Sequence, residues 1–135
     1  MPSSPVMPAE YSVGHEILDQ QHQHLFSLFD VCERLVKNQN DAEFPEKFNH
    51  LLVDLTDYAK EHFRYEEKLM LEVKYPNLRI HQGEHDAYIS GLNNIIFEAR
   101  QGKLNINRLR SFLSVWLISH ILESDMKFKY YILKK

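Results

Sequence analysis

His62 and Glu66 stand four residues apart in the run YAKEHFRYEEKLM, residues 58–70. On a helix that interval puts both side chains on one face, one turn apart, and Leu55, Tyr58, Leu69 and Val73 share the face. An imidazole and a carboxylate aimed into an apolar stripe are costly to bury unless hydrogen-bonded or bound to a cation. Taken alone, the pair reads as an ordinary, partly exposed i,i+4 contact. Three further pieces of the same kind change that reading: His22; His81 with His85, another i,i+4 pair; and His120 followed by Asp125.

The elements that must position these residues follow from composition and period. Only four glycines among 135 residues, with apolar residues recurring at helical spacing in four blocks, predict an all-α protein of one domain. Residues 1–14 carry Pro2, Pro5 and Pro8 and read as an extended N-terminal arm, tied down by Tyr11, Val13 and Ile17; residues 15–135 form the bundle. Asp19 is the expected N-cap of a first helix reaching about Asn38. Pro45 suits the first turn of a second helix ending near Val73, before the breaker KYPN. A third helix runs from about Leu78 to Gln101 with Gly102 just past its end, and Asn105 or Asn107 caps a fourth through Leu109, Leu113, Trp116 and Ile121. The tail ESDMKFKYYILKK reads as one or two more helical turns, with Phe128, Tyr131 and Ile132 packed and the lysines solvated. Short connections make sequential helices antiparallel neighbours in an up-down-up-down four-helix bundle.

On that bundle the start of one helix and the end of the next share one end of the molecule. His22, His62, Glu66, His81, His85 and His120 therefore meet at one level of the core. Asp125 is a seventh member only under a condition. Five residues past His120 is about 140° round a regular α-helix, so the helix is expected to break between Ile121 and Asp125. His15, His24 and His50 lie off this pattern and read as ordinary histidines, His24 exposed. Cys32 reads as a core filler.

Composition excludes other classes. A net charge of -3 carries no electrostatic footprint for nucleic acid. No apolar run reaches the roughly 18 residues of a membrane span, and MPSSPVMPAE lacks the basic region and apolar core of a secretory signal. A single cysteine forbids an internal disulfide and suits the cytoplasm.

Five imidazoles and two carboxylates exceed the four ligands that one zinc takes. They suit two ions that share both carboxylates and one solvent-derived oxo or hydroxo bridge. Each ion then has three shared ligands. Three histidines complete an octahedron on one, and two leave the other with an open position. Imidazole and carboxylate in octahedral arrangement point to iron.

These pieces (DQQHQHLF around His22, HFRYEEKLM with His62 and Glu66, HQGEH with His81 and His85, WLISHILESD with His120 and Asp125) resemble the hemerythrin family, most closely its single-domain bacterial members, from about Tyr11 onward. The resemblance implies a non-haem di-iron centre that binds O2 reversibly, with two oxo- or hydroxo-bridged Fe ions. It implies His81, His85 and His120 on the closed iron, His22 and His62 on the open one, and Glu66 and Asp125 bridging. It also implies an apolar O2 pocket lined by Leu25, Phe63, Trp116, Leu117 and Ile121. Acceptors are expected behind the ligand imidazoles, Glu67 first and Asp19 second. Phe128 stands where many relatives carry tyrosine. The di-iron oxygenases of similar bundles use Glu-x-x-His motifs, which these helices lack.

The function expected is O2 transport, storage or delivery to an oxygen-consuming enzyme, without catalysis, by a monomer or small homo-oligomer. A sensor of O2, redox state or nitric oxide, and a di-iron enzyme reducing nitric oxide or peroxide, remain the alternatives. The lack of an evident proton donor beside the open site weighs against the enzyme.

Overall fold

The computed structural model describes residues 15–134, without the side chains of residues 117, 118 and 122. The N-terminal arm, with Tyr11 and Val13, lies outside the described residues, as does the Leu117 side chain. The chain runs α1 (Glu16–Lys37), α2 (Phe44–Glu72), α3 (Leu78–Arg100), α4 (Ile106–Trp116), a π-helical segment (Leu117–Asp125) and α5 (Met126–Leu133). α1 packs against α2 and α4, α2 against α3, and α3 more lightly against α4, which closes a four-helix bundle. Among the described residues no helix is long and apolar enough to cross a membrane.

The helix ends are set by local chemistry. α1 begins three residues before the expected Asp19, because His15 is its N-cap and its ring nitrogen accepts from Leu18 N–H at 3.3 Å. Asp19 instead sits in the first turn, where its charge complements the helix dipole. Pro45 occupies the first turn of α2, where a missing N–H costs nothing. Asn105 Oδ1 accepts from Arg108 N–H at 3.0 Å at the start of α4.

α2 and α3 end in the same device. At the end of α3, Gly102 takes φ 84°, Lys103 N–H reaches Glu98 C=O and Gly102 N–H reaches Ala99 C=O, each at 3.0 Å. At the end of α2, Tyr75 N–H reaches Met70 C=O at 2.9 Å and Lys74 N–H reaches Leu71 C=O at 3.2 Å. Both are the paired bonds of a Schellman motif. The second places Lys74, a residue with a Cβ, in the left-handed region at φ 57°. Burial of Met70 with Tyr75 holds that turn in place, and Tyr131 Oη of α5 donates to the carbonyls of Val73 and Lys74.

Two apolar clusters divide the interior. The larger runs along the bundle and includes Leu25, Cys32, Phe48, Leu55, Phe63, Leu92 and Ile121. The smaller, Leu18, Met70, Tyr75 and Phe128, closes one end. Cys32 is fully buried in the larger cluster, as a core filler would be. Phe128 is buried, Tyr131 and Ile132 pack against the smaller cluster, and Lys127 and Lys134 are exposed.

The expected break between Ile121 and Asp125 does not occur. The segment from Leu117 to Asp125 winds as a π-helix instead. An i→i+5 turn holds one residue more than an α-turn, so the fifth residue on returns to the face of the first. Asp125 thus rejoins His120 through continuous helix, and α5 follows without interruption.

Candidate metal centre

The polar residues lie in the layer between the two apolar clusters, and chain order shows why. On α1, His22 falls between Leu18 and Leu25; on α2, Glu66 falls between Phe63 and Met70; the π-segment places His120 and Asp125 between Leu113 and Phe128. α1, α2 and the π-segment thus each place an apolar residue on either side of a polar one. All seven predicted residues, His22, His62, Glu66, His81, His85, His120 and Asp125, are at most 2% exposed.

Their atoms form two groups that share Glu66. One comprises Glu66, His81, His85 and His120; the other comprises His22, His62, Glu66 and Asp125. Within each carboxylate the two oxygens divide between the three-histidine and two-histidine sets. Glu66 Oε1 lies 2.6 Å from His81 Nε2 and 3.0 Å from His85 Nε2, and its Oε2 faces His62 Nε2 at 3.8 Å. Asp125 Oδ1 lies 3.0 Å from His81 Nε2 and 3.1 Å from His120 Nε2, while Oδ2 lies 2.9 Å from His22 Nε2.

Hydrogen bonding among these groups does not account for the arrangement. His22 Nε2, His62 Nε2, Glu66 Oε2 and both Asp125 oxygens are buried without an aligned hydrogen-bond partner, and each such orphan costs about 1–3 kcal/mol. His85 Nε2 and His120 Nε2 stand 3.2 Å apart. Their Nδ1 atoms face carboxylates, Glu67 Oε2 at 2.7 Å and Glu84 Oε1 at 3.3 Å. An Nδ1 that donates to a carboxylate leaves a lone pair on Nε2. Two imidazole nitrogens directed at one spot and rimmed by carboxylate oxygens suit a cation, so this donor set fits metal.

The charge state of the site in the absence of metal points the same way. Burial pulls the His62 imidazole down to about 4. Burial also acts to lower His81, but the Asp125 and Glu66 carboxylates beside it outweigh that and lift it to about 9. Burial opposes ionisation of Glu66, yet hydrogen bonds from His120, His81 and His85 hold it well below the usual carboxylate range. Both carboxylates are anions, and in the absence of metal, protons on His22, His81 and His120, each raised against burial by Asp125 and Glu66, stand where a cation's charge would be.

Acceptors lie behind several of the donors among the described residues: Glu67, Gln21 and Glu84. Glu67 holds His85, as expected, and also accepts from Gln82 at 3.1 Å. Sequence reasoning missed the other two. Gln21 Oε1 lies 2.6 Å from His62 Nδ1, and Glu84 takes His120 Nδ1 together with the Ser124 hydroxyl. Glu84 sits one residue before His85 and Gln21 one before His22, and that adjacency was the only signal available.

Four of the predicted pocket residues, Leu25, Phe63, Trp116 and Ile121, belong to the larger apolar cluster. Leu25, Phe63 and Ile121 are buried, and Trp116 is half-buried against them. Phe63 lies flat on His85 with centroids 3.8 Å apart, and Trp116 lies nearly parallel to His120 at 4.4 Å. Of the other histidines, His24 and His50 are exposed, and His24 rests on the Tyr58 ring at 4.5 Å.

A helical bundle with a buried layer of histidines and carboxylates defines a metal-binding helical protein. Residues 13–132 match the family described as Hemerythrin HHE cation binding domain, and the chain belongs to the hemerythrin family. Among curated relatives, the Bacteriohemerythrin of Clostridium acetobutylicum is 29% identical over 122 residues, covering 88% of this chain and 94% of that protein. The Bacteriohemerythrin of Stenotrophomonas maltophilia is 26% identical over 119 residues, covering 88% and 75%. The Hemerythrin-like protein of Naegleria gruberi is 29% identical over 124 residues, covering 90% and 87%. No solved structure matches the chain.

Proposed function

We propose that this protein binds O2 reversibly at a pair of iron ions, for transport, storage or delivery to an oxygen-consuming partner in the cytoplasm. His81, His85 and His120 would hold one iron and His22 and His62 the other, with Glu66 and Asp125 shared between them. The observation that carries this reading is the split within each carboxylate, one oxygen toward the three-histidine set and the other toward the two-histidine set. One ion would need only one set; two ions use both. The names of the relatives, Bacteriohemerythrin and Hemerythrin-like protein, support the same reading.

When bound, such an iron pair lends electrons to O2 and recovers them on release. The chain's own contribution is orientation and dryness. Glu67, Glu84 and Gln21 fix three imidazole rings through Nδ1 and leave Nε2 free to ligate. Leu25, Phe63, Trp116 and Ile121 form an apolar wall against the histidines, to which the resemblance adds Leu117. Such a wall keeps water and free acids from the ligand.

One observation favours the enzyme alternative. The Tyr58 hydroxyl is buried without a partner, one turn before His62, with its ring parallel to the imidazole at 6.0 Å between centroids. It is a phenol beside the two-histidine half, where the sequence showed no proton donor. Its acidity argues for the carrier. Burial first, then the charges of Glu61 and Glu66, push the phenol well above its usual range, which makes Tyr58 a poorer proton donor than an ordinary tyrosine.

Absorption spectra of reduced protein, in air and then under argon, test the reading. Charge-transfer bands that appear in air and vanish under argon are expected. They should be lost in His62→Ala and kept in His24→Ala. Immediate, irreversible oxidation in air would overturn reversible binding and favour the sensor or the redox enzyme.

A further inference from the structure

The acceptors behind the histidines are not alike, and the difference follows the division of the centre. In the three-histidine set, His85 and His120 turn Nδ1 to carboxylates, Glu67 at 2.7 Å and Glu84 at 3.3 Å. In the two-histidine set, His62 turns Nδ1 to the neutral amide of Gln21 at 2.6 Å. His22 Nδ1 is buried with no hydrogen-bond partner among the described residues. An imidazole whose N–H points at a carboxylate is a stronger donor to metal than one held by an amide. Stronger donation stabilises the more highly charged ion.

We propose that Gln21 is a positioning residue that makes the two halves of the centre unequal. Its amide oxygen fixes the His62 ring with Nδ1–H outward and Nε2 inward, and being neutral it leaves His62 a weak donor. A metal held in the two-histidine half would therefore be the easier to reduce. The same half has the open position in the proposed arrangement, so Gln21 keeps the ligand-accepting ion in its reduced state. The inference rests on the iron-pair reading above.

Gln21 is suited to the task by its place in the chain. It precedes His22 on α1, and its side chain crosses to His62 on α2, so a single residue ties the orientation of one two-histidine donor to the backbone position of the other. A carboxylate at this position would give His62 the same kind of support that His85 and His120 have, and the contrast in acceptors between these rings would be lost.

The test is a redox titration of the iron-loaded protein alongside Gln21→Glu and Gln21→Met, with iron per chain measured in each. Gln21→Glu strengthens His62 as a donor and should lower the first midpoint potential. Gln21→Met keeps side-chain length but offers almost no acceptor, and should raise it. A tenfold change in relative affinity for the two oxidation states corresponds to about 59 mV, which is the scale expected in each direction. The second midpoint should move less. A residue that only holds the fold would shift both variants the same way, and that result, or no shift in either, overturns the proposal. Wild-type protein without two irons per chain overturns the iron-pair reading and the inference with it, and the metal analysis shows this independently of the potentials. Nitrogen-15 NMR of zinc-loaded wild-type protein reads the bond itself, whatever the variants do: a protected Nδ1–H on His62 is expected, and a ring lacking it overturns the proposal.

Discussion

Deleting Glu123 should leave the metal centre assembled, although the residue lies in the segment that carries two of the seven candidate ligands. The reason is the π-helix from Leu117 to Asp125, which spends one residue more per turn than an α-helix. Glu123 is exposed, so its loss removes no core contact. With one residue fewer between His120 and Asp125 the interval becomes four. In an ordinary α-helix four residues return to about 40° from the start, and five to about 140°. The shortened segment can relax to α-helix with the aspartate on the same face, and α5, which follows it, keeps its register to the aspartate. Phe128 stays in the smaller apolar cluster.

The opposite perturbation sets the scale. Inserting one alanine after Glu123 turns the aspartate by about 100°, which on a Cα radius of about 2.3 Å displaces its backbone by about 3.5 Å. The Asp125 oxygens now lie 2.9–3.1 Å from His22, His81 and His120, so a shift of that size removes the carboxylate from both sets. Changing a residue that merely supports a metal ligand costs about 10–100-fold in affinity, and loss of a shared ligand should cost at least as much. Competition of cobalt(II) or zinc(II) against a chelator measures both variants, and circular dichroism of the metal-free proteins shows that each is folded. The deletion should bind within about tenfold of wild type, the range below which even supporting residues count. A deletion that loses as much affinity as the insertion would refute the argument that the π-turn serves to bring Asp125 to His120.

Two further outcomes follow from the helix ends and the core. Lys74 sits at φ 57° in the Schellman turn that closes α2, where Gly102 performs the same role for α3. A left-handed residue with a Cβ costs about 1–2 kcal/mol, so Lys74→Gly should stabilise the metal-free protein by about 1 kcal/mol in denaturant titration. Gly102→Ala should destabilise it by a similar amount. Burial pushes the Cys32 thiol up to about 12, so it stays protonated in the native state while the unfolded thiol ionises near 9. That contribution to stability is therefore whole below pH 9 and is lost as pH rises toward 12. Alkylation of Cys32 at pH 8 should proceed no faster than unfolding, and rapid labelling of native protein would contradict its burial.

The helices and the convergence of seven polar residues were legible because both rest on one number, the 3.6-residue period. That period places His62 over Glu66 and His81 over His85, and short loops then fix which helix ends meet. The same period is why the π-segment was not legible. A pattern argument built on α-geometry can register that Asp125 is out of phase with His120, but it supplies only a break as the remedy. The chain adds a residue to the turn instead, which keeps backbone hydrogen bonding continuous where a break would leave buried carbonyls unpaired. The start of α1 escaped for a related reason: histidine is not among the preferred capping residues, yet the His15 ring nitrogen accepts from Leu18 N–H as a carboxylate would.

The acceptors behind the ligands mark a different limit. Glu67 was within reach of sequence reasoning because the interval from Glu66 turns it about 100° round α2, toward a neighbouring helix that had to carry His85. Gln21 and Glu84 meet residues 41 and 36 positions away, and nothing local names those partners. Gln20 and Gln21 are adjacent and identical, yet one is exposed and the other reaches His62. The period of α1 puts Gln21, three residues past Leu18 and four before Leu25, on the core face and Gln20 off it. Which residue Gln21 meets there depends on how α1 is turned against α2, set by the packing of Leu18, Leu25 and Leu28 in the two apolar clusters. The donor set is thus written in the period of each helix, whereas the tuning of each donor is written in how the helices are turned against one another.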